Sequence, residues 1–172
     1  DYILLLEDPS AWPAAHALLP GLPMVAARDY LTDPAWAGPR GLKVLNLCRD
    51  RDYLDVGYYC SLLAEARGHR ILPAVRTIND LAESDSYPVD LEQLNRRVSR
   101  LLRSRKSQLA STRLECVLVF GEAPLADLKP LGRALYELFP APLLHVVLEH
   151  GTLWHVSAVS IVAPAELAES DS

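Results

Sequence analysis

The stretch at residues 44–69 constrains the fold more than any other part of the chain. It combines a short apolar run, a charged turn, an amphipathic segment and a glycine, Gly68. This order is typical of a β-strand that leads through a turn into a helix ended by a left-handed glycine. Asp52 is the predicted N-cap of that helix, and Asp55 falls in its first turn. An extended segment at residues 70–73 then completes a predicted βαβ unit.

The remaining segments predict an α/β (α+β) fold in a single domain, residues 1–172. Helical and extended patterns alternate early, and an antiparallel hairpin closes the chain, which favours one mixed, mostly parallel sheet with packed helices. Further helices are predicted from Asp90, which has capping-box spacing, and from Pro130. The predicted strands lie at residues 2–7, 23–27, 42–47, 70–73, 113–120, 143–149 and 153–159.

Two side-chain patterns make specific structural predictions. In the hairpin, a turn at residues 150–152 would pair Val146 with Val156 and Leu148 with Trp154 on one apolar face. In the helix after Asp52, apolar residues at every fourth position predict a buried stripe. The members of that stripe are Leu54, Tyr58, Leu62 and Ala66, widened by Tyr59 and Leu63.

Composition and charge argue against several classes of function. The chain has 172 residues and a formal net charge of −5, which argues against nucleic acid as the main partner. No apolar run approaches the roughly 20 residues of a membrane-spanning helix, so no membrane partner is predicted. Three widely spaced cysteines are too few for a disulfide scaffold or a zinc site and predict a reducing, cytoplasmic setting. The motifs GxxxxGK[ST], GxGxxG, GxSxG and HExxH do not occur in the sequence.

Polar side chains gather where the strand at residues 42–47 gives way to the helix. In open α/β sheets, ligands usually bind in the crevice outside the carboxyl ends of the strands. Asn46 and Arg49 are therefore candidates to face a ligand, with the Arg49 guanidinium holding a carboxylate or phosphate. The alternative is structural: Asn46 bonds a neighbouring loop backbone, and Arg49 pairs with Asp50 or Asp52.

Three further residues of this stretch are weaker ligand candidates. Cys48 would act as a nucleophile only with a base beside it and a lowered pKa, and the nearest histidine in sequence, His69, lies at the far end of the helix. The hydroxyls of Tyr58 and Tyr59 either reach a ligand or mark the edge of the core. The spacing of Cys48 and Cys60 neither establishes nor excludes a disulfide between them.

A run of six basic residues within eleven positions follows Asp90. It is either a solvated helix face or a surface that docks an acidic neighbouring domain, or else a basic ridge for RNA or phosphates. No aromatic residue interleaves the run, which favours a solvated helix face or a surface for an acidic domain over a ridge for RNA or phosphates. The run comprises Arg96, Arg97, Arg100, Arg103, Arg105 and Lys106. His145 and His155 could become diagonal neighbours across the hairpin, but no carboxylate joins them at metal-ligand spacing, so no metal site is predicted.

Five blocks of sequence resemble the RimK-like ATP-grasp N-terminal domain family in their order and approximate spacing. The most specific part runs from Asn46 to His69. The resemblance implies an α+β domain placed ahead of a RimK-like ATP-grasp module, in an ATP-dependent carboxylate–amine ligase that forms peptide or amide bonds. The blocks are Arg28-Asp29-Tyr30-Leu31, Asn46-Leu47-Cys48-Arg49, Gly57-Tyr58-Tyr59, residues 61–69 and residues 139–144.

The resemblance also implies which part of such a ligase carries out catalysis. The ATP-grasp module, with ATP and Mg²⁺, would activate a carboxylate as an acyl phosphate, and this chain contains no complete catalytic set. We expect the chain to continue past Ser172 into that module, because the start at Asp1 and the unfinished helical pattern at the end look cut. The domain itself then needs neither ATP nor metal and has an accessory role in substrate recognition or domain docking.

The expected partners follow from that role. They are the downstream ATP-grasp domain and a small-molecule or peptide substrate, and a homo-oligomer is compatible with the sequence. The alternative is a self-standing module that binds a small molecule or a protein without catalysis. The ligand-binding candidates are Arg28, Asn46, Cys48, Arg49, Tyr58 and Tyr59.

Overall fold

The computed structural model describes residues 1–12, 19–83, 90–103 and 112–170. The chain divides into two compact units. Unit 1 comprises Asp1–Ile78 and Val162–Ser172, and unit 2 comprises Asn79–Ile161. Of the predicted basic run, Arg105 and Lys106 lie outside the described residues.

Unit 1 contains a four-stranded parallel sheet with the order β2-β1-β3-β4. Strands β3 and β4 pair in parallel and are joined through helix α2, so the predicted βαβ unit is confirmed. A third helix, α3, spans the division between the units. The elements are β1 (Tyr2–Leu6), β2 (Met24–Ala26), α1 (Ala27–Thr32), β3 (Lys43–Asn46), α2 (Val56–Ala66), β4 (Arg70–Leu72), α3 (Val75–Ala82) and α6 (Pro164–Ser170).

The strand order of this sheet reverses between β1 and β3. From β1 the chain goes to β2 on one side, and it then returns to place β3 on the other side of β1. Such a reversal separates the connections that leave the carboxyl ends of the two strands and opens a crevice between them. The fold therefore places a topological switch point at the carboxyl ends of β1 and β3.

Strand β1 is buried on both faces, as its continuous apolar sequence requires. Alternate residues point to opposite sides of a strand. Ile3 and Leu5 join a core cluster with residues of α1 and α2, whereas Leu4 and Leu6 join a second cluster with Leu47. The sheet is therefore covered on both faces, and its open edge for a ligand is the carboxyl end.

Helix α2 is confirmed, but of its predicted buried stripe only Tyr58 is buried. Leu54, just ahead of the helix, is 58% exposed and Leu62 is 44% exposed. The helix begins at Val56 with Asp55 at the N-cap position, so the predicted cap at Asp52 is also wrong. The buried residues of α2 are Gly57, Tyr58, Cys60, Ser61 and Ala64. Most of these are small, and small side chains let a helix approach its neighbours closely, which turns the larger leucine outward.

Unit 2 contains a three-stranded antiparallel sheet with the order β5-β6-β7. The predicted α/β class, the helices and the C-terminal hairpin are confirmed. The strands are divided between two sheets, however, instead of one mixed sheet, because the three later strands pair only with one another. The elements are α4 (Asp90–Leu102), β5 (Arg113–Val119), α5 (Lys129–Leu138), β6 (Leu143–His150) and β7 (Trp154–Ile161).

The predicted register of the hairpin is wrong. Leu148 lies opposite Val156 and Val146 opposite Val159, and the register shifts between Val147 and Leu148. A bulge adds a residue to one strand and is invisible to a period-two pattern. Near this irregularity, the Asn95 side chain of α4 accepts the Val156 backbone N–H at 2.8 Å. The predicted face is still correct, since Val146, Leu148, Trp154 and Val156 are all buried in the core of unit 2.

The core of unit 2 lies between this sheet and helices α4 and α5. Leu94, Val98 and Leu102 from α4 pack with Leu131 and Leu135 from α5. These residues recur at the three- and four-residue spacing of a helix face. No helix in the described part of the chain has the length and apolar character to cross a bilayer.

Candidate functional site

A cleft with a volume of about 220 Å³ opens in unit 1 at the carboxyl ends of β1 and β3. Its walls are built by the segment after β1, the segment after β3 and the start of α6. This is the switch point of the sheet, where ligands bind in open α/β folds. The lining residues are Leu6, Glu7, Asp8, Ala11, Trp12, Leu47, Arg49, Asp50, Ala163, Pro164 and Ala165.

The polar wall of the cleft carries three carboxylates and one guanidinium. The Glu7 Oε1 atom accepts the Asp50 backbone N–H at 2.9 Å and so joins the segments that follow β1 and β3. Asp8 accepts hydrogen bonds from the Ser10 N–H at 2.8 Å and the Ser10 hydroxyl at 2.7 Å. Both bonds lower the pKa of the Asp8 carboxyl group, the one from the hydroxyl more than the one from the backbone, so the carboxylate stays charged. Among the described residues of the lining, Arg49 is the one cation, so a small ligand in the cleft would meet net negative charge beside it.

Among the residues that the structure describes, no three His, Cys, Asp or Glu side chains are arranged to hold a metal ion. The three carboxylates of the cleft therefore do not form a metal centre by themselves. The rest of the lining is apolar and includes Trp12, Leu47 and the start of α6. A mostly apolar lining with a few fixed charges is usual for a small-molecule site.

Asn46 is buried, with 1% exposure, and all its hydrogen bonds lie within the protein. Its Nδ2 donates to the Gly57 carbonyl at 2.7 Å and to the Ser61 hydroxyl at 3.0 Å. Its Oδ1 accepts the Cys48 N–H at 3.2 Å. The Ser61 hydroxyl in turn donates to the Pro73 carbonyl at 2.8 Å. This geometry favours the structural interpretation of Asn46: it holds β3 against the first turn of α2.

Cys48 and Cys60 are free, buried thiols, so they form no disulfide in this structure. A hydrogen bond with the Cys60 side chain, followed by burial, raises the pKa of the Cys48 thiol. A raised pKa removes the thiolate that a nucleophilic cysteine requires. The environment of Cys48 therefore favours packing over covalent chemistry.

Arg51 is a buried cation that sequence reasoning missed. Its Nη1 donates to the Cys48 carbonyl, and its Nη2 lies 3.7 Å from Glu166 Oε2 in α6. Burial lowers the pKa of Arg51, and the Glu166 carboxylate opposes that shift. Arg51 thus connects the β3–α2 loop to α6, two segments that both contribute to the lining of the cleft. No sequence pattern marks such a long-range pair.

Besides Asn46 and Cys48, three further sequence candidates do not line the cleft. Arg28 is exposed on α1, Tyr59 is 41% exposed on α2, and Tyr58 is buried. The ring of Tyr58 packs edge-on against Tyr53 at 5.4 Å and Tyr59 at 6.3 Å. Of the six candidates, the cleft thus includes only Arg49, which is exposed at its rim.

A second polar cluster ties α1 to the end of α2. The hydroxyl of the fully buried Tyr30 lies 2.7 Å from His69 Nδ1, and His69 Nε2 lies 2.8 Å from the Pro39 carbonyl. A carbonyl only accepts, so Nε2 carries the proton and Nδ1 accepts from the tyrosine. Arg67 donates to the Tyr30 carbonyl at 2.7 Å and its guanidinium lies 4.9 Å from the ring centre. Tyr30, Arg67 and His69 all belong to the blocks quoted above, so these blocks carry structural contacts.

Replacing Tyr30 by phenylalanine is expected to lower the free energy of unfolding by about 1–3 kcal/mol, because it leaves His69 Nδ1 buried without a donor. Urea-induced unfolding measures this change. The matched control is Tyr59→Phe, which removes a hydroxyl from an exposed ring and should change stability by less than about 0.5 kcal/mol. Equal stability of the two variants would contradict the buried Tyr30–His69 bond.

A comparison with known protein families shows to which family the chain belongs. The family model of the RimK-like ATP-grasp N-terminal domain matches residues 27–172. The chain belongs to this family. The match confirms the resemblance read from the sequence, and it places the RimK-like domain in the context of an ATP-grasp ligase. No functionally curated protein is significantly similar to the chain.

The family match covers only part of the cleft. It begins at Ala27, the first residue of α1, so β1 and the cleft residues Glu7, Asp8 and Trp12 lie outside it. Membership of the RimK-like family therefore does not by itself assign a function to the acidic residues of the cleft. That wall was also missed by sequence reasoning, although the carboxyl-end rule applied to the predicted strand at residues 2–7 would have pointed to it.

Proposed function

We propose that this RimK-like domain is the N-terminal accessory domain of an ATP-dependent carboxylate–amine ligase and recognises a substrate of that ligase. The observation that carries the proposal is the cleft at the switch point between β1 and β3, lined by charged groups together with the apolar Trp12 and Leu47. The family match supports the ligase context. The ATP-grasp module would supply ATP, Mg²⁺ and the reacting groups, in the reducing cytoplasm that suits three free cysteines.

The charges of the cleft select the class of substrate that we propose. Arg49 alone would favour an anion, as its planar guanidinium pairs well with a carboxylate. Glu7, Asp8 and Asp50 would repel a simple anion but attract an ammonium group. We therefore propose a small molecule that carries both groups, such as a free amino acid or the end of a short peptide.

The experiment uses the full-length gene product and isothermal titration calorimetry with each of the common amino acids. The N-acetyl and amide derivatives of the best binder then serve as probes that lack one charge each. Arg49→Ala is expected to weaken binding of the carboxylate-bearing probe about ten- to hundredfold while Tm stays within a few degrees. Glu7→Gln keeps an acceptor for the Asp50 N–H and should weaken binding of the ammonium-bearing probe.

The matched control is Arg28→Ala, which removes an exposed arginine that does not line the cleft. It should leave affinity unchanged. A large loss of stability in Arg49→Ala with intact affinity would show that Arg49 is structural. Tighter binding of the N-acetyl or amide probe than of the amino acid itself would contradict the two-charge site.

ATP turnover separates the ligase from the alternative of a self-standing binding module. The full-length protein is incubated with ATP, Mg²⁺ and the amino acid that binds best. Phosphate release that depends on the amino acid supports the ligase proposal. Binding without any ATP turnover supports a binding module without catalysis.

A further inference from the structure

A groove runs between helices α4 and α5 of unit 2. It consists of two adjoining pockets of about 230 Å³ and 240 Å³, which share Leu94 and Arg97. The α4 residues that line it fall at helical spacing on one face. Its remaining lining residues are Gln93, Arg100 and Leu101 of α4 with Pro130, Leu131, Ala134, Glu137 and Leu138 of α5.

Part of the apolar lining of the groove, Leu101 and Pro130, lies outside the core of unit 2, whereas Ala134 and Leu138 pack against that core. Leu101 is half-buried and is not packed into the core cluster of unit 2. Pro130 is exposed on the facing helix, and Ala134 and Leu138 are half-buried farther along it. A groove between two helices that exposes apolar side chains can receive the apolar face of an amphipathic helix.

The charge along the groove is mostly positive. Arg97 and Arg100 line it and are exposed, and Arg103 is exposed beyond them on the same helix. Arg96 is paired with Glu92 at 3.3 Å, so it contributes less. Among the described lining residues the one acid is Glu137, at the end of the second pocket.

We propose that the α4–α5 groove binds an amphipathic helix of a partner protein, with leucine-type residues on one face and acidic residues beside them. The apolar strip would accept the leucines, and Arg97 and Arg100 would pair with the acids at the rim. This site lies within unit 2 and is independent of the substrate cleft. A nucleic acid is the weaker candidate, because the described residues that line the two pockets include no aromatic ring and bases bind single-strand sites by stacking.

The test uses the full-length protein and a designed helical peptide of about 18 residues, with leucines at helical spacing and glutamates flanking them. Fluorescence anisotropy measures binding to the wild type and to the double variant Arg97→Glu/Arg100→Glu. Each exposed ion pair contributes little to the binding free energy, but reversing two charges should weaken binding of the acidic peptide about ten- to hundredfold at low salt. A second peptide with lysines in place of the glutamates should bind the double variant better than the wild type.

The matched control is Arg40→Glu/Arg70→Glu, which changes net charge equally at two exposed arginines of unit 1. It should keep wild-type affinity for the acidic peptide. Leu101→Gln should also weaken binding, with circular dichroism unchanged because Leu101 lies outside the core.

Two outcomes would overturn the proposal. In the first, neither Arg97→Glu/Arg100→Glu nor Leu101→Gln changes the affinity for the acidic peptide. In the second, a single-stranded RNA oligonucleotide binds the wild type through these arginines and the acidic peptide does not bind. That second result would assign the face to nucleic acid.

Discussion

Replacing Gly57 by alanine is expected to lower Tm by about 5–10 °C. A Cβ at this position would lie 2.5 Å from the Asp50 carbonyl oxygen, 2.9 Å from the Cys48 Cβ and 3.0 Å from the Arg51 Cγ. The carbonyl cannot easily move away, since it already accepts the Gly57 N–H at 2.9 Å. Overpacking of this kind costs about 2–3 kcal/mol, and each kcal/mol lowers Tm by about 2–4 °C in a chain of this size.

Thermal unfolding followed by circular dichroism measures this shift, with Gly38→Ala as the matched control. Gly38 has a helical backbone with φ of −79°, and its nearest heavy atom would lie 3.9 Å from an added Cβ. Alanine should therefore be tolerated there and should reduce the entropy of the unfolded chain slightly. Similar Tm values for the two variants would show that the β3–α2 loop does not pack against Gly57.

The Gly57 contact also links the fold to the proposed substrate site. Gly57 is held by Asp50, which lines the cleft, and its own carbonyl accepts a hydrogen bond from Asn46. An alanine that displaces the loop would also move Arg49, which directly precedes Asp50 in the chain. We therefore expect Gly57→Ala to weaken amino-acid binding as well as stability, which Arg49→Ala should not do.

The local part of the site could be predicted from the sequence. The strand, the turn with Arg49 and helix α2 follow one another along the chain, so their periodicity and their order suffice. The crevice at the carboxyl end of β3 followed from a general property of parallel sheets. The rim position of Arg49 agrees with that reasoning.

The phase of α2 could not be predicted in the same way. Periodicity assumes that the largest apolar residues face inward, and it therefore selected Leu54 and Leu62. The buried face instead uses Gly57, Cys60 and Ala64, which allow close packing. That choice depends on the distance between the helix and its neighbours, and local sequence does not record this distance.

The far walls of the cleft depend on pairings between distant parts of the chain. Glu7 follows β1, and it reaches Asp50 only because β1 and β3 are neighbours in the sheet. Glu166 reaches Arg51 only because α6 returns to unit 1. The register shift at Val147 is a similar case, because it appears only when β6 and β7 are paired.

Replacing Asn46 by aspartate is expected to make folding stability strongly dependent on pH. The substitution keeps the shape of the side chain and its acceptor for the Cys48 N–H, but it replaces two N–H donors by a single O–H when protonated and by none when ionised. An ionised carboxylate would face the Gly57 carbonyl and the Ser61 oxygen, whose own proton goes to Pro73. The introduced carboxyl group should therefore remain protonated in the folded protein, with a pKa well above the unfolded value of about 3.9.

A group whose pKa is raised by folding contributes most stability below its unfolded pKa and loses that contribution as pH rises. The difference in unfolding free energy between Asn46→Asp and wild type should therefore widen by about 1.4 kcal/mol per pH unit above pH ~4, until the folded pKa is reached. Urea unfolding at several pH values between about 4.5 and 7.5 measures it, with exposed Asn79→Asp as the control of equal charge. Parallel pH profiles for the two variants would mean that the Asn46 side chain is solvated rather than enclosed by α2, and Asn46 would return to the list of residues able to contact a ligand.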